Sequence, residues 1–305
     1  MMKIGITYLY TICNYGYPPE FNDELKAIEK ISAMGFHFLE MEALGKKHTE
    51  AVFANRSDFK KKLNDCNVHV HNFCIVDPDL VSLDNEKRRQ AYSNFERTIE
   101  LGSYFEAETI HLASYTPPVE YINTKPYDLG GSGYEFNDKP LVRIPDNLDW
   151  KKVWGTLVES CRFTAKQAAR YGKIILMEPR VGEIICSTDS LIRLINDVGE
   201  PNFKANFDTA HLSAQRECVP LALVKLKDMF ANIHIADNVP VNQEHITVGK
   251  GSIDWDEFFR VLKNMNYQGY LGLDLSASDS IEKDLTESAA FIKTICEKHD
   301  IKVEM

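Results

Sequence analysis

The sequence predicts one (β/α)8 barrel over residues 1–305, and three observations predict it. Short runs rich in β-branched and aromatic residues alternate with helix-period segments along the whole chain. Eight such units in 305 residues suit a closed parallel barrel better than an open doubly wound sheet. No GxGxxG follows an early strand, which argues against a dinucleotide-binding fold.

The strands read in order as Lys3–Tyr8, Phe36–Glu42, Val68–Ile75, Thr109–Ser114, Lys173–Glu178, Phe203–Asp208, Asn232–Asp237 and Tyr270–Leu275. Amphipathic stretches lie between them. Asn22–Met34 stops at Gly35, Asp84–Tyr104 is long and charged, and Asp149–Tyr171 ends just before a glycine. Ser187–Val198 opens with an STDS capping signature, Asp254–Asn266 opens DWDEFF, and Ser280–His299 is the last helix. The outlier is Tyr115–Leu148, an insertion after strand 4 that carries TPP, GGSG and IPDN turns. A long loop at that end of a barrel strand reads as a lid or an interface surface.

A hydrophobic fraction of 44% supports a full core, while a net charge of −10 and the lack of a Lys/Arg-rich run disfavour a nucleic-acid partner. No stretch approaches about eighteen consecutive apolar residues, so no membrane partner is expected. The opening MMKIGITYLYTI enters a strand-like run with no charged leader. The seven cysteines (Cys13, Cys66, Cys74, Cys161, Cys186, Cys218 and Cys296) are scattered and contain no CxxC pair. That usage suits reduced thiols, and the expected compartment is the cytoplasm.

Barrel enzymes build their sites from the C-terminal ends of the strands, and polar residues gather there in this chain. Strand 5 ends IILMEPR and places Glu178 last; strand 6 ends ANFDTAH, with Asp208 last and His211 just beyond. Strand 7, ANIHIAD, carries His234 and Asp237, and strand 8, YLGLDLS, carries Asp274. Any one of these is ordinary, since a strand-end Asp often caps a helix and a strand His is often a bonded core residue. Four consecutive strands delivering them to one level is not ordinary. Carboxylates gathered in a closed mouth repel each other unless a cation sits between them. Oxygen donors with one imidazole suit one divalent metal ion, Mn or Mg first and Co or Zn next. His71 on strand 3 (VHVHNFCI), sharing a face with His69, and His111 on strand 4 (TIHLAS) add imidazoles, and Glu42 ends strand 2. His37, His48 and His299 fall away from the mouth and read as structural or solvated.

Together MEP, NFDTAH, NIHIAD, HITVGKGSIDW and LGLDLS resemble the xylose-isomerase-like TIM-barrel superfamily of sugar-phosphate isomerases and epimerases, inosose dehydratase and endonuclease IV. The likeness covers the chain apart from Tyr115–Leu148. It implies Glu178, Asp208, His234 and Asp274 as the ligands of a single metal. It also implies His211 at the substrate, and a GKG turn that brings His245 or Lys250 near it. Glu178, His211 and His111 are then the expected catalytic residues. His71, Glu42, Arg180, Asp237, His245 and Lys250 are the expected substrate contacts, and the substrate is a small sugar.

Two positions depart from the pattern of ketose 3-epimerases. Asp274 stands where they have a second glutamate and reaches about 1.5 Å less far, and Pro240 stands where they often have an arginine. The resemblance to endonuclease IV extends to His71, His111, Glu178, Asp208, His211, His234 and His245, but Gln243 replaces an aspartate there, and the acidic charge opposes DNA binding. The leading expectation is an isomerase or epimerase that removes a proton next to a metal-polarised carbonyl, with Glu178 as base. The runner-up is an oxo-sugar lyase, either a dehydratase or a C-glycoside-cleaving enzyme acting with a smaller partner subunit. For the lyase the insertion and the aromatic first loop, YLYTICNYGYPP, would face a bulky aglycone; a non-catalytic sugar-binding barrel is the third alternative. Tyr8, Tyr10, Tyr15 and Trp154 are candidates for an apolar wall, and a homo-oligomer or hetero-complex is compatible with the insertion.

Overall fold

A computed structural model of the chain describes residues 1–123, 141–239 and 245–305. Eight parallel strands form the barrel: β1 (Met2–Ile6), β2 (Phe38–Leu44), β3 (His69–Val76), β4 (Thr109–Ala113), then β7 (Ile174–Glu178), β8 (Phe203–Asp208), β9 (Phe230–Ile235) and β10 (Tyr270–Leu273). The order is β10-β9-β8-β7-β4-β3-β2-β1, and pairing of β10 with β1 closes the ring. The insertion after β4 supplies β5 (Glu120–Tyr121) and β6 (Val142–Arg143), an antiparallel pair separate from the barrel. Residues 124–140 of that insertion lie outside the described residues, as do Pro240 and Gln243. A short β11 (Val303–Glu304), with no counterpart in the sequence reading, adds in parallel to β1.

The helices begin and end where the local chemistry allows. Ser187 accepts a hydrogen bond from Ser190 N and starts the helix Thr188–Val198, which Gly199 ends in the left-handed conformation at φ 69°. Asp84, Asp149 and Asp254 cap three further helices. Apolar faces of the helices pack on the outward residues of the strands, so Phe36, Phe95, Phe203, Phe207, Phe258 and Phe259 are fully buried.

The first strand is shorter than the sequence reading. β1 stops at Ile6, and the aromatic segment expected as a loop turns into the helix Leu9–Tyr15. Tyr8 bonds to Glu24 and Tyr10 to Glu282, so both hydroxyls serve packing contacts. Trp154 lies on the outer helix Trp150–Ala169, where its Nε1 donates to Asp197 at 2.7 Å; it forms no wall at the mouth.

Register is irregular at two places that matter. Between β2 and β3, Leu39 pairs with Val70 and the next pair is Glu40 with Asn72, so His71 is an extra residue. Its ring stacks on Tyr270 of β10 at 4.4 Å while the adjacent Asn72 bonds to Glu40. β3 and β10 are not neighbours, so the stacking crosses the barrel interior. Between β8 and β9 a second shift aligns Asn206 with Asn232 and Asp208 with His234. The barrel axis is consequently polar at mid-height.

Gly5 and Gly272 pair on β1 and β10. A Cβ on Gly5 would sit 2.8 Å from the Phe38 carbonyl oxygen, a backbone atom that has nowhere to go. Gly5→Ala should therefore destabilise the barrel by about 1–3 kcal/mol and lower Tm by a few degrees in a thermal melt followed by circular dichroism. An unchanged Tm would show that β1 and β2 can separate freely.

Candidate metal centre

Glu178 and Asp208 end β7 and β8, His234 is the penultimate residue of β9, and register carries their side chains to one point. Each is buried, and their ligand atoms fall within 4.8 Å of one another. His234 Nδ1 lies 2.8 Å from Glu178 Oε1 and 3.9 Å from Asp208 Oδ2. Asp208 does two jobs. Oδ1 accepts His211 N at 2.7 Å and caps the helix Thr209–Ala214, while Oδ2 is buried with no hydrogen-bond partner among the described residues. An orphaned carboxylate oxygen enclosed beside another carboxylate and an imidazole nitrogen is the donor arrangement that a divalent cation satisfies. The residues present fit such an ion.

Asp208, His211 and His245 form a second such group that shares Asp208, and Glu40, His111 and His234 a third that shares His234. The His211 and His245 rings meet edge to face at 4.7 Å, and His245 Nε2 lies 3.7 Å from both Asp208 Oδ1 and Asp274 Oδ2. Asp274, expected as the fourth ligand, belongs to none of these groups. Its Oδ1 accepts the Thr7 hydroxyl at 2.6 Å, which turns the other oxygen to His245.

The charges follow from enclosure. Burial and the neighbouring Glu178 and Asp274 push the Asp208 carboxyl well above the usual range. Burial would raise Glu178 as well, but His111 and His234 overcome it and hold that carboxylate well below its ordinary value. Burial would lower His234, yet Glu40 and Glu178 raise it. His71 is pushed down to about 4 by burial, and burial keeps His211 well below its ordinary value, so both imidazoles are neutral. Glu42 is pushed up to about 7, again by burial, and accepts the Tyr17 hydroxyl.

Three expected substrate contacts sit elsewhere. Asp237 is fully buried, and its two oxygens accept Asn238 N, Gly249 N, Ile253 N and Trp255 Nε1. Its carboxylate holds the following loop, and a strand-end Asp reads the same in sequence whichever way it points. Arg180 makes a paired contact with Glu183 and reaches the Ser114 carbonyl. Lys250 is 65% exposed and its Nζ lies 3.8 Å from Glu287, outside the mouth. Glu42, His111 and His245 do face the barrel end, whereas His71 lies lower, stacked on Tyr270 at the start of β10. Sequence reasoning missed Glu40, which shares the β2 face with Glu42 by the two-residue period; that period was the available signal. It also missed Asn206, whose amide donates to Glu178 Oε1 at 2.7 Å.

The family profile described as xylose isomerase-like TIM barrel matches residues 28–295. The chain belongs to that family. D-psicose 3-epimerase of Enterocloster bolteae is 25% identical over 280 residues, covering 88% of this chain and 80% of that enzyme. Hydroxypyruvate isomerase of Escherichia coli is 27% identical over 148 residues, covering 47% of this chain and 56% of that enzyme. The chain thus spans little more than half the length of this second relative. Among solved structures, D-psicose 3-epimerase from Clostridium cellulolyticum, with D-tagatose, superposes with a TM-score of 0.74 at 18% identity, over 96% of this chain and 99% of that one. These relatives are enzymes. No helix among the described residues is long and apolar enough to cross a membrane.

A cation entering between Asp208 and His234 must displace the protons their raised values retain. Both shifts act in the same direction, so affinity is gained as pH rises through them. Mn2+ titrations at about pH 5 and pH 8 should show tighter binding at the higher pH, with protons released into buffers of different ionisation enthalpy. Equal affinity and no release would contradict the assignment. Lys250→Ala, by contrast, should leave steady-state kinetics within about twofold, as expected for an exposed side chain.

Proposed function

We propose that this protein is a metal-dependent isomerase or epimerase that removes a proton next to the carbonyl of a sugar or keto-sugar. The observation that carries the reading is the convergence of Glu178 Oε1, the orphaned Asp208 Oδ2 and His234 Nδ1 at the mouth of the barrel. Glu178, Asp208 and His234 would hold the ion, with Asp274 at its edge, and the carboxylate majority favours Mn or Mg. When bound, the cation polarises substrate oxygens and stabilises the negative charge that develops on them.

The remaining work falls to the chain. Asn206 and His234 both engage Oε1 of Glu178, which leaves Oε2 as the atom to take the α-proton. The neighbouring His111 and His234 are what depress Glu178, so a neutral His234 restores basicity to the carboxylate. His211, neutral and buried, stands on the far side of Asp208 and can donate an N–H to a substrate hydroxyl or return the proton. His111, 3.8 Å from Glu178 Oε1, is placed to share that role. Glu42 lines the β2–β3 side of the mouth as a hydroxyl contact, while His71 packs below it against Tyr270. Asp274 is shorter than a second glutamate and is held by Thr7, which supports one principal base rather than a matched pair.

Ketoses supplied with Mn2+ in D2O should take up deuterium at the carbon next to the carbonyl, read by NMR. Glu178→Gln should slow that uptake by about 10²–10⁴-fold. Uptake within tenfold of the parent enzyme would remove Glu178 from the base position, and a panel of sugars without any uptake would remove the reaction class.

A further inference from the structure

We infer that Glu40 is a positioning residue that fixes which nitrogen His234 presents to the metal centre. The inference rests on the proposed reading that Glu178, Asp208 and His234 hold a cation. Glu40 comes from β2 and His234 from β9, strands that are not adjacent, so their contact spans the barrel. His234 Nε2 lies 3.1 Å from Glu40 Oε2.

The direction of the hydrogen bond follows from what surrounds Glu40. The Thr109 hydroxyl donates to Asn72 Oδ1 at 2.6 Å, so the Asn72 amide must turn its NH2 to Glu40 Oε2. The same oxygen lies 3.6 Å from His111 Nδ1. The oxygen that accepts the Asn72 amide meets Nε2 as an acceptor too, so His234 carries its proton on Nε2. Nδ1 is then the nitrogen turned to the metal centre, facing Glu178 Oε1 at 2.8 Å and Asp208 Oδ2 at 3.9 Å. Carboxylate behind imidazole is how a buried histidine is oriented and made a stronger donor.

Glu40, His111 and His234 also qualify as a cation-holding group in their own right. Two N–H donors directed at Oε2, from Asn72 and His234, oppose that use, because each occupies a lone pair that a cation would need. The two roles differ in what a substitution changes. A positioning Glu40 alters affinity and leaves the number of ions bound intact, whereas a ligand Glu40 alters the number.

The test is Mn2+ binding to the purified full chain, parent against Glu40→Gln and Asn72→Leu, with circular dichroism confirming the fold. Glu40→Gln should weaken Mn2+ about 10–100-fold at unchanged stoichiometry. Asn72→Leu, which touches no proposed ligand, should weaken it less in the same direction. ¹⁵N-histidine NMR of the Zn-loaded protein should show one ring with a protonated, slowly exchanging Nε2 and a metal-bound Nδ1. That Nε2 signal should broaden or move in Glu40→Gln, which a merely structural loss would not single out. Parent protein that binds no Mn2+ would overturn the metal reading itself. Parent binding with an unaltered Glu40→Gln affinity, or with a lost ion, would overturn the role given to Glu40 alone.

Discussion

Glu40, Glu178, Asp208 and Asp274 are enclosed in one end of a barrel, and the charged partners recorded for them there are imidazoles. Carboxylates removed from water repel and seek protons, cations or donated hydrogens. Each distinctive feature of the interior answers that need. Asn206 is bonded in turn by Asn232 at 2.8 Å, extending the donors below Glu178 down the barrel axis. Thr7 serves Asp274, and the cap of the short helix after β8 satisfies half of Asp208. Among the described residues no group donates a hydrogen bond to Asp208 Oδ2, the acceptor that the proposed cation would take.

Much of this was legible in the sequence, for a definite reason. An acidic residue that ends an apolar run is conspicuous, and strand alternation fixes which end of the barrel it occupies. Glu178, Asp208 and His234 were therefore found, and so was the barrel that brings them together. Features that depend on direction were not. Asp237 and Asp208 look alike as strand-end aspartates, yet one faces the site and the other faces its own loop. Lys250 lies close to His245 in the chain, but the turn between them sends its side chain outward.

Register was the second blind spot. The two-residue period placed His69 and His71 on one face, but no pattern announced that His71 is a bulge residue beside an inward Asn72. That irregularity is what lets β3 contribute both a ring against Tyr270 and an amide to Glu40. Glu40 itself was hidden by company, since FLEMEAL offers two glutamates and the one nearer the strand end drew the attention.

The loop following β9 carries a different kind of information. Asp237 bonds three backbone amides and an indole of its own loop, Ile246 pairs back onto it in both directions, and Gly251 packs so close that a Cβ would stand 2.2 Å from Asp237 Oδ1. His245 enters that brace with φ at 44°, a conformation a free segment would seldom visit. Its ordering cost is met during folding. On the proposed reading, a sugar arriving at the mouth finds that imidazole already in place, and the free energy of its contact goes into recognition rather than into freezing a mobile segment.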